Sequence, residues 1–362
     1  MTRPLRVLLV HPGATWSTAD VEAGLRYGLH VLGVEIVPFR LDQRIEFAGK
    51  TLHVMWRKKK KAQPDLAKPN TADIMYQAGI GALEMALRHQ VDVVLIVSAM
   101  LMHPDVVIMM KRAGLTVTVL FTESPYDSEQ ELAMAARVDG CWTNERSCVA
   151  AFKAVNPRAG YLPHAYHPER HYVSAHLIDG QVPTHDVVFV GSGFSERVEW
   201  FNSIDWSGID LGLYGTWKGL GLNKQVRSLV RDEQINNETA GALYRRARIG
   251  LNLYRSRKNW GYKAQAPLYA ESLSPRAYEL AACGAFHLSE YRAEVGEVFG
   301  DLVPTFTTPT EAAALIRLWL ADKAGRARVA AALPACIAEA TWVARAKTVL
   351  GDLQQLVKVQ AA

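Results

Sequence analysis

The sequence predicts an α/β protein made of two doubly wound parallel sheets in tandem. Its 362 residues are long for a single hydrophobic core. Short continuous apolar runs alternate with single helical patterns, as expected of parallel strands buried on both faces. The alternation stops over residues 163–185, a stretch rich in His, Pro and Tyr, and then restarts.

Taken in order, RVLLVH (6–11) is a first strand closing on Gly13, with a helical pattern over about 20–32. VEIVPF (34–39) is a second strand, followed by a polar excursion carrying WRKKKKAQPDLAKPN and a helix over 72–89. VDVVLIV, LTVTVLF, VDGCWT and AGYLP are further strands, with helices over 104–113 and 128–136 between them. After the break, HDVVFVGSGF runs into a glycine turn and ERVEWFNSI opens a helix. IDLGLYG, RIGLNLY, GAFHLS and DLVPTF are strands, and from residue 310 onward the pattern is helical. The expected division is therefore 1–163, a linker over 164–185, and 186–339.

The hydrophobic fraction of 49% and charged fraction of 21% are those of an ordinary globular protein. The longest apolar run, VDVVLIVSAMLM, is too short to span a bilayer, and MTRPLRVLLVHPG reads as a strand rather than a secretory signal. Four cysteines without a Cys-x-x-Cys pair argue against a disulfide framework or structural zinc. They fit a reducing cytoplasm, the host's if the protein is viral. A net charge of +5 permits an anionic ligand without demanding one.

Ligands of open parallel sheets bind beyond the carboxyl ends of the strands. There VFVGSGFSERVEW places Gly191 and Gly193 in a turn, with Ser195 as a cap for the next helix. Amides freed by such a turn suit a phosphate, although many turns of this kind merely reverse the chain. More specific is ESLSPRAYELAACGAF (271–286). Ser274 and Pro275 start a helix there, so Glu271 precedes it and Glu279 lies just over one turn inside, with Arg276 between them. Two glutamates flanking an anion-binding helix end would suit a ligand with hydroxyls on both sides of a diphosphate. A capped helix with two surface acids has the same spacing.

Glu271-x7-Glu279 with LAACGAFHLSE resembles the donor signature of GT-B glycosyltransferases, notably the retaining family 4 type. Arg276 makes it similar to the CgeB-like branch, in which an arginine precedes the second glutamate. FTESPYD, VDGCWTNERSCVAAFKAV, YLPHAYHPERHY, VVFVGSGFSERVEW and ARIGLNLY extend the likeness. TWVARAKTVL resembles the helix (about 340–362) that returns to the first domain. The resemblance implies two Rossmann-like domains facing a cleft, an acceptor-side first domain and a nucleotide-sugar second one, with a UDP-sugar as co-substrate. It implies Glu279 on the ribose hydroxyls and Glu271 on the transferred sugar. Gly191, Gly193 and Arg276, with Arg197 or Lys218, would hold the diphosphate. Asn252 and Ser274 would line the donor site, and Tyr214 or Gly215 would lie near the base. Ser-Leu-Ser replaces the usual Gly-Phe-Gly after the first glutamate.

Stabilising a leaving diphosphate needs amides and cations rather than proton transfer. No Asp-x-Asp motif supplies carboxylates for a metal, so none is expected and no other cofactor is implied. An inverting enzyme would also need a base, for which Glu123, His11, His103 and His164 are candidates at strand ends or in the linker. Two basic stretches bear on the acceptor. Arg57, Lys58, Lys59 and Lys60 lie in the excursion, and Arg255, Arg257, Lys258 and Trp260 interleave cations with aromatics. Both fit a solvated loop or flap. They also fit DNA bearing hydroxymethylated bases, as in phage-type modification. A glycan, lipid, protein or small-molecule acceptor competes, and no amphipathic helix with a strong basic face stands out for a membrane. The remaining alternatives are a GT-B sugar-nucleotide epimerase and a non-catalytic nucleotide- or nucleic-acid-binding protein.

Overall fold

The computed structural model describes residues 3–13, 18–174, 184–232, 235–257 and 268–361. They divide into two compact units, Met1–Pro163 with Val343–Ala362, and His164–Trp342.

In the first unit, β1 (Arg6–His11), β2 (Glu35–Arg40), β3 (Val93–Val97), β4 (Thr116–Phe121), β5 (Gly140–Thr143) and β6 (Ala159–Tyr161) form one sheet in the order β2-β1-β3-β4-β5-β6. Every pairing is parallel. The central strands read as unbroken Val, Leu and Ile because helices cover both faces, and Val93 to Val97 are entirely buried. Pro38 sits in β2, an edge strand, where a missing N–H donor is tolerated. The covering helices are α1 (Ala19–Val31), α2 (Leu41–Lys60), α3 (Thr71–Arg88), α4 (Pro104–Arg112), α5 (Ser128–Ala135) and α6 (Val149–Val155).

The expected polar excursion is largely helical. Leu41 and Ala48 are buried on α2, Ile45, Leu52 and Trp56 are half-buried, and Arg57–Lys60 simply continue that helix. Lys and Arg are good helix formers, so a charge run need not end a helix already anchored by its apolar stripe. The Trp56 indole donates to the Leu66 carbonyl at 3.0 Å, and Lys60 Nζ lies 4.5 Å from the Trp56 ring. The C-terminal helix (Trp342–Ala361) is bound to this unit by Trp142 Nε1 donating to Asp352 at 2.9 Å and by Arg345 donating to the Pro163 carbonyl at 3.1 Å.

In the second unit, β7 (His185–Val190), β8 (Leu211–Tyr214), β9 (Val230–Asp232), β10 (Ala247–Asn252), β11 (His287–Glu290) and β12 (Thr305–Phe306) are ordered β12-β11-β10-β7-β8-β9. All pairs are again parallel. Three-residue β9 was not expected, being too short to carry a periodic pattern. The helices are α7 (Ser195–Asn202), α8 (Lys224–Arg227), α9 (Asn237–Arg246), α10 (Pro275–Ala282), α11 (Ala293–Phe299), α12 (Pro309–Ala321) and α13 (Lys323–Cys336). Phe189, Phe201, Trp206 and Trp217 form the aromatic centre of the core.

Each sheet reverses its strand order once, between β1 and β3 and between β7 and β10. At such a switch point the flanking loops diverge and leave a crevice beyond the strand ends. Among the described residues, no helix is long and apolar enough to cross a membrane.

Candidate functional site

The switch point between β7 and β10 gathers most of the residues singled out in the sequence. Ser274 is the N-cap of α10 and Pro275 its first residue, which places Arg276 and Glu279 on the first turns. The Ser274 hydroxyl does not cap the helix; it donates to Asn252 Oδ1 at 2.8 Å. Asn252 is fully buried at the end of β10, and its amide donates to Ser289 at 3.0 Å.

Arg276 reaches across the reversal. Its Nε donates to the Val190 carbonyl at 2.7 Å and its Nη1 to the Leu253 carbonyl at 3.1 Å, with Asn252 Oδ1 at 3.5 Å. The guanidinium lies over the Phe189 ring at 4.5 Å. One planar fork thus joins the ends of the two strands that diverge.

The glycine turn does a different job from the one expected. Gly191 N–H donates to Tyr214 and Gly193 N–H to Thr216, at 2.9 and 3.0 Å, so both amides extend the parallel pairing past β7 and are not aimed at a ligand. Glycine is required for space: a Cβ on Gly191 would stand 2.5 Å from Arg276 Nη2, and one on Gly193 2.7 Å from the Trp217 ring. Ser195 is the first residue of α7 rather than its cap, and it donates to Glu196.

Arg197, expected on the diphosphate, is buried instead. Its two terminal nitrogens donate to the Ser192 and Leu253 carbonyls, each at 2.9 Å, and it packs over Phe189 and Phe194. Lys218 is exposed just beyond β8. Tyr214 Oη meets His185 Nε2 at 2.8 Å, and His185 Nδ1 meets Asp210 at 2.9 Å.

Glu279 is no surface acid. It is 8% exposed, and burial pushes its carboxyl up to about 7, with Arg276 pulling the other way. Tyr244, a buried α9 residue beside Glu279 and Arg276, is not marked by any motif. Glu271 lies in the loop before α10, where it accepts from Tyr269 Oη at 2.5 Å and its carbonyl accepts from Glu294 N–H at 3.3 Å. Glu294, also unforeseen, takes the Leu273 N–H at 2.5 Å and so fixes this loop. Nothing in the sequence pattern distinguishes Tyr244 or Glu294, because their partners lie about 20 or more residues away.

The basic stretch after β10 is folded inward where it is described. Arg255 Nε donates to the Arg257 carbonyl at 3.0 Å, and its guanidinium lies 5.1 Å from the Phe194 ring. Arg257 is paired with Glu199 through two contacts at 3.2 Å. Both therefore face α7 and do not present the expected nucleic-acid strip. Lys258 and Trp260 lie outside the described residues. Arg57, Lys58, Lys59 and Lys60 are exposed on α2.

The first unit carries the other candidates. His11 ends β1, is 7% exposed, and has no partner for Nδ1 among the described residues. Burial lowers its pKa, with Glu22 and Asp42 opposing. His103 caps α4 by accepting from Asp105 N–H at 3.2 Å, and His164 is buried. Glu123 lines a cavity of about 230 Å³ at the ends of β3 and β4, together with Ser98, Met100, Phe121, Glu131 and Met134. Ser98 has φ 55°, a strained value for a non-glycine residue. Buried Glu131 accepts from Glu123 N–H at 2.9 Å and from the Ser124 hydroxyl, and burial raises it to about 7. Among the described residues no group of three or more His, Cys, Asp or Glu side chains is placed to hold a metal ion.

A family model described as glycosyl transferase-like matches residues 197–351. Among solved structures, an α,α-trehalose 6-phosphate synthase from Burkholderia multivorans is similar at 10% identity, with 100% of each chain covered and a TM-score of 0.62. A trehalose-6-phosphate protein of E. coli bound with UDP-2-fluoro glucose is 12% identical over 97% of this chain and 99% of that one, TM-score 0.62. A Listeria monocytogenes protein assigned as a UDP-N-acetylglucosamine 2-epimerase is 13% identical over 98% and 97%, TM-score 0.58. Comparison with curated proteins finds no match. With its two parallel six-stranded sheets, the chain has the two-domain α/β fold called GT-B.

Proposed function

We propose that the protein is a glycosyltransferase that moves a sugar from a nucleotide-sugar, a UDP-sugar first of all, to a hydroxyl acceptor. The observation that carries this reading is the meeting, at one switch point, of the α10 N-terminus, Arg276 and a buried carboxyl on Glu279. The glycosyl transferase-like match over 197–351 includes all three, and a solved structure of the same fold is described as bound with UDP-2-fluoro glucose.

In this reading the ionised Glu279 accepts from the ribose hydroxyls, as the Glu-x7-Glu resemblance implies. The diphosphate faces the positive end of the α10 dipole, where Pro275 brings no N–H, Ala277 N–H bonds the Ser274 carbonyl at 3.1 Å, and the Ser274 hydroxyl caps none of the amides. Arg276 adds positive potential there while its fork holds Val190 and Leu253. As the glycosidic bond to the leaving phosphate breaks, charge grows on the diphosphate, and these fixed dipoles stabilise it without reorganising. Glu271, which accepts from Tyr269, takes the sugar hydroxyls in this reading, as the resemblance implies. The acceptor is a hydroxyl. The DNA version is weakened by the inward packing of Arg255 and Arg257.

The test is a thermal melt with UDP, ADP and GDP, followed by assay of UDP-glucose turnover. Stabilisation by UDP alone and slow UDP release support transfer. A converted sugar with the diphosphate intact would mean the epimerase reading, and no shift with any nucleotide would reject the donor site. Glu271→Ala is expected to cut turnover by about 100-fold while raising the UDP-glucose Kd less than about tenfold, measured by steady-state kinetics and calorimetry.

A further inference from the structure

From α2 we infer a second, separate function for the first unit: docking on an anionic lipid surface. The helix buries Leu41 and Ala48 on one side. Phe47 and Val54, seven residues apart, lie away from that side and are 63% and 49% exposed. At 100° per residue both stand roughly 110–130° round the helix from the Leu41–Ala48 direction, clear of the core. Lys50, Arg57, Lys58 and Lys61 are exposed and flank these two side chains on the same wheel. Lys59 and Lys60 extend the charge at the helix end. Phe47 and Val54 thus form an apolar ridge with Arg57, Lys61 and Lys50 on one side, Lys50 also pairing with Glu46 at 2.5 Å, and Lys58 on the other.

Charge and shape together select the occupant. A nucleic-acid duplex would pair with the cations, but its bases are already stacked inside and its charged surface offers nothing to an isopropyl group beside a phenyl ring. A bilayer bearing anionic headgroups uses both, since the apolar pair enters the headgroup–acyl boundary while the lysines meet phosphates. The basic run also keeps its direction: Trp56 ties the following turn to Leu66, and Lys60 rests on the Trp56 ring. The helix lies in the membrane plane and does not cross it.

The measurement is co-sedimentation of the full chain with vesicles of phosphatidylcholine alone or with one quarter phosphatidylglycerol. Binding is expected only to the mixed vesicles, and it should fall at least tenfold between 50 and 500 mM salt. The charge-neutral double variant F47S/V54S is expected to bind at least tenfold more weakly with an unchanged melting temperature, because both positions face away from the core. K58E/K59E/K60E should lose binding as well. Unchanged vesicle binding by F47S/V54S, or equal binding to a duplex oligonucleotide by that variant and the wild type with no vesicle binding, would overturn the inference. The result is independent of donor binding, which the UDP melt reads on the same samples.

Discussion

Glu279→Gln is expected to have opposite effects on stability and on donor binding at pH 8. The carboxyl sits near 7 in the folded chain against an ordinary 4.5, so the folded state holds its proton more tightly than the unfolded state does. The stability it contributes is therefore present below pH 4.5, declines as pH rises through that window, and is gone above about 7. For a buried group a displacement of this size corresponds to about 3 kcal/mol. The glutamine variant has nothing to ionise, so its melting temperature should exceed that of the wild type at pH 8 and converge with it near pH 5.

Donor binding should run the other way. A ribose supplies two hydroxyl donors, and an ionised carboxylate accepts both. UDP-glucose, whose diphosphate is already fully ionised, should bind the wild type about tenfold more tightly per pH unit up to about 7 and then level off. The glutamine variant should bind roughly 30- to 150-fold more weakly at pH 8, the worth of about 2–3 kcal/mol of hydrogen bonding to a charged group, and show no such slope. Melts from pH 5 to 9 and calorimetry over the same range read both effects. Parallel melting curves, or an affinity indifferent to the substitution, would remove Glu279 from the site.

Arg276→Lys is expected to be nearly as damaging as Arg276→Ala. The fork makes two charged bonds, from Nε to the Val190 carbonyl and from Nη1 to the Leu253 carbonyl, and the single nitrogen of lysine lacks the spread to reach both at good geometry. Loss of both should cost about 3 kcal/mol and lower the melting temperature of the second unit by roughly 6–12 °C. Arg276 also pulls the Glu279 carboxyl down, so its removal should move the midpoint of pH-dependent donor binding upward. A melting temperature and a midpoint both unchanged would show that the guanidinium neither joins the strands nor acts on the acid.

The two-sheet architecture was legible because the apolar runs are of strand length, rich in Val, Leu and Ile, and separated by single helical patterns. The α10 boundary was legible from Ser274-Pro275, a local signal. What stayed hidden were partners distant in the chain. Arg197 looked like a phosphate ligand because a cation after a glycine turn is common there, yet its forks are taken by Ser192 and by Leu253, 56 residues on. Gly191 looked like a phosphate turn, whereas its space is claimed by Arg276, 85 positions away in sequence. The lysine run carries no helical signal of its own because it lacks apolar periodicity; the helix it extends is anchored by residues 41–56. That same feature hid the face carrying Phe47 and Val54.

The placement of the last helix makes the first unit discontinuous along the chain. The Trp142 indole meets Asp352 across 210 residues, and the whole of 164–342 lies between them. The side of β5 that this helix touches therefore stays open until the intervening unit has been made. Protection of residues 140–143 from hydrogen exchange should consequently trail that of 93–97 during refolding.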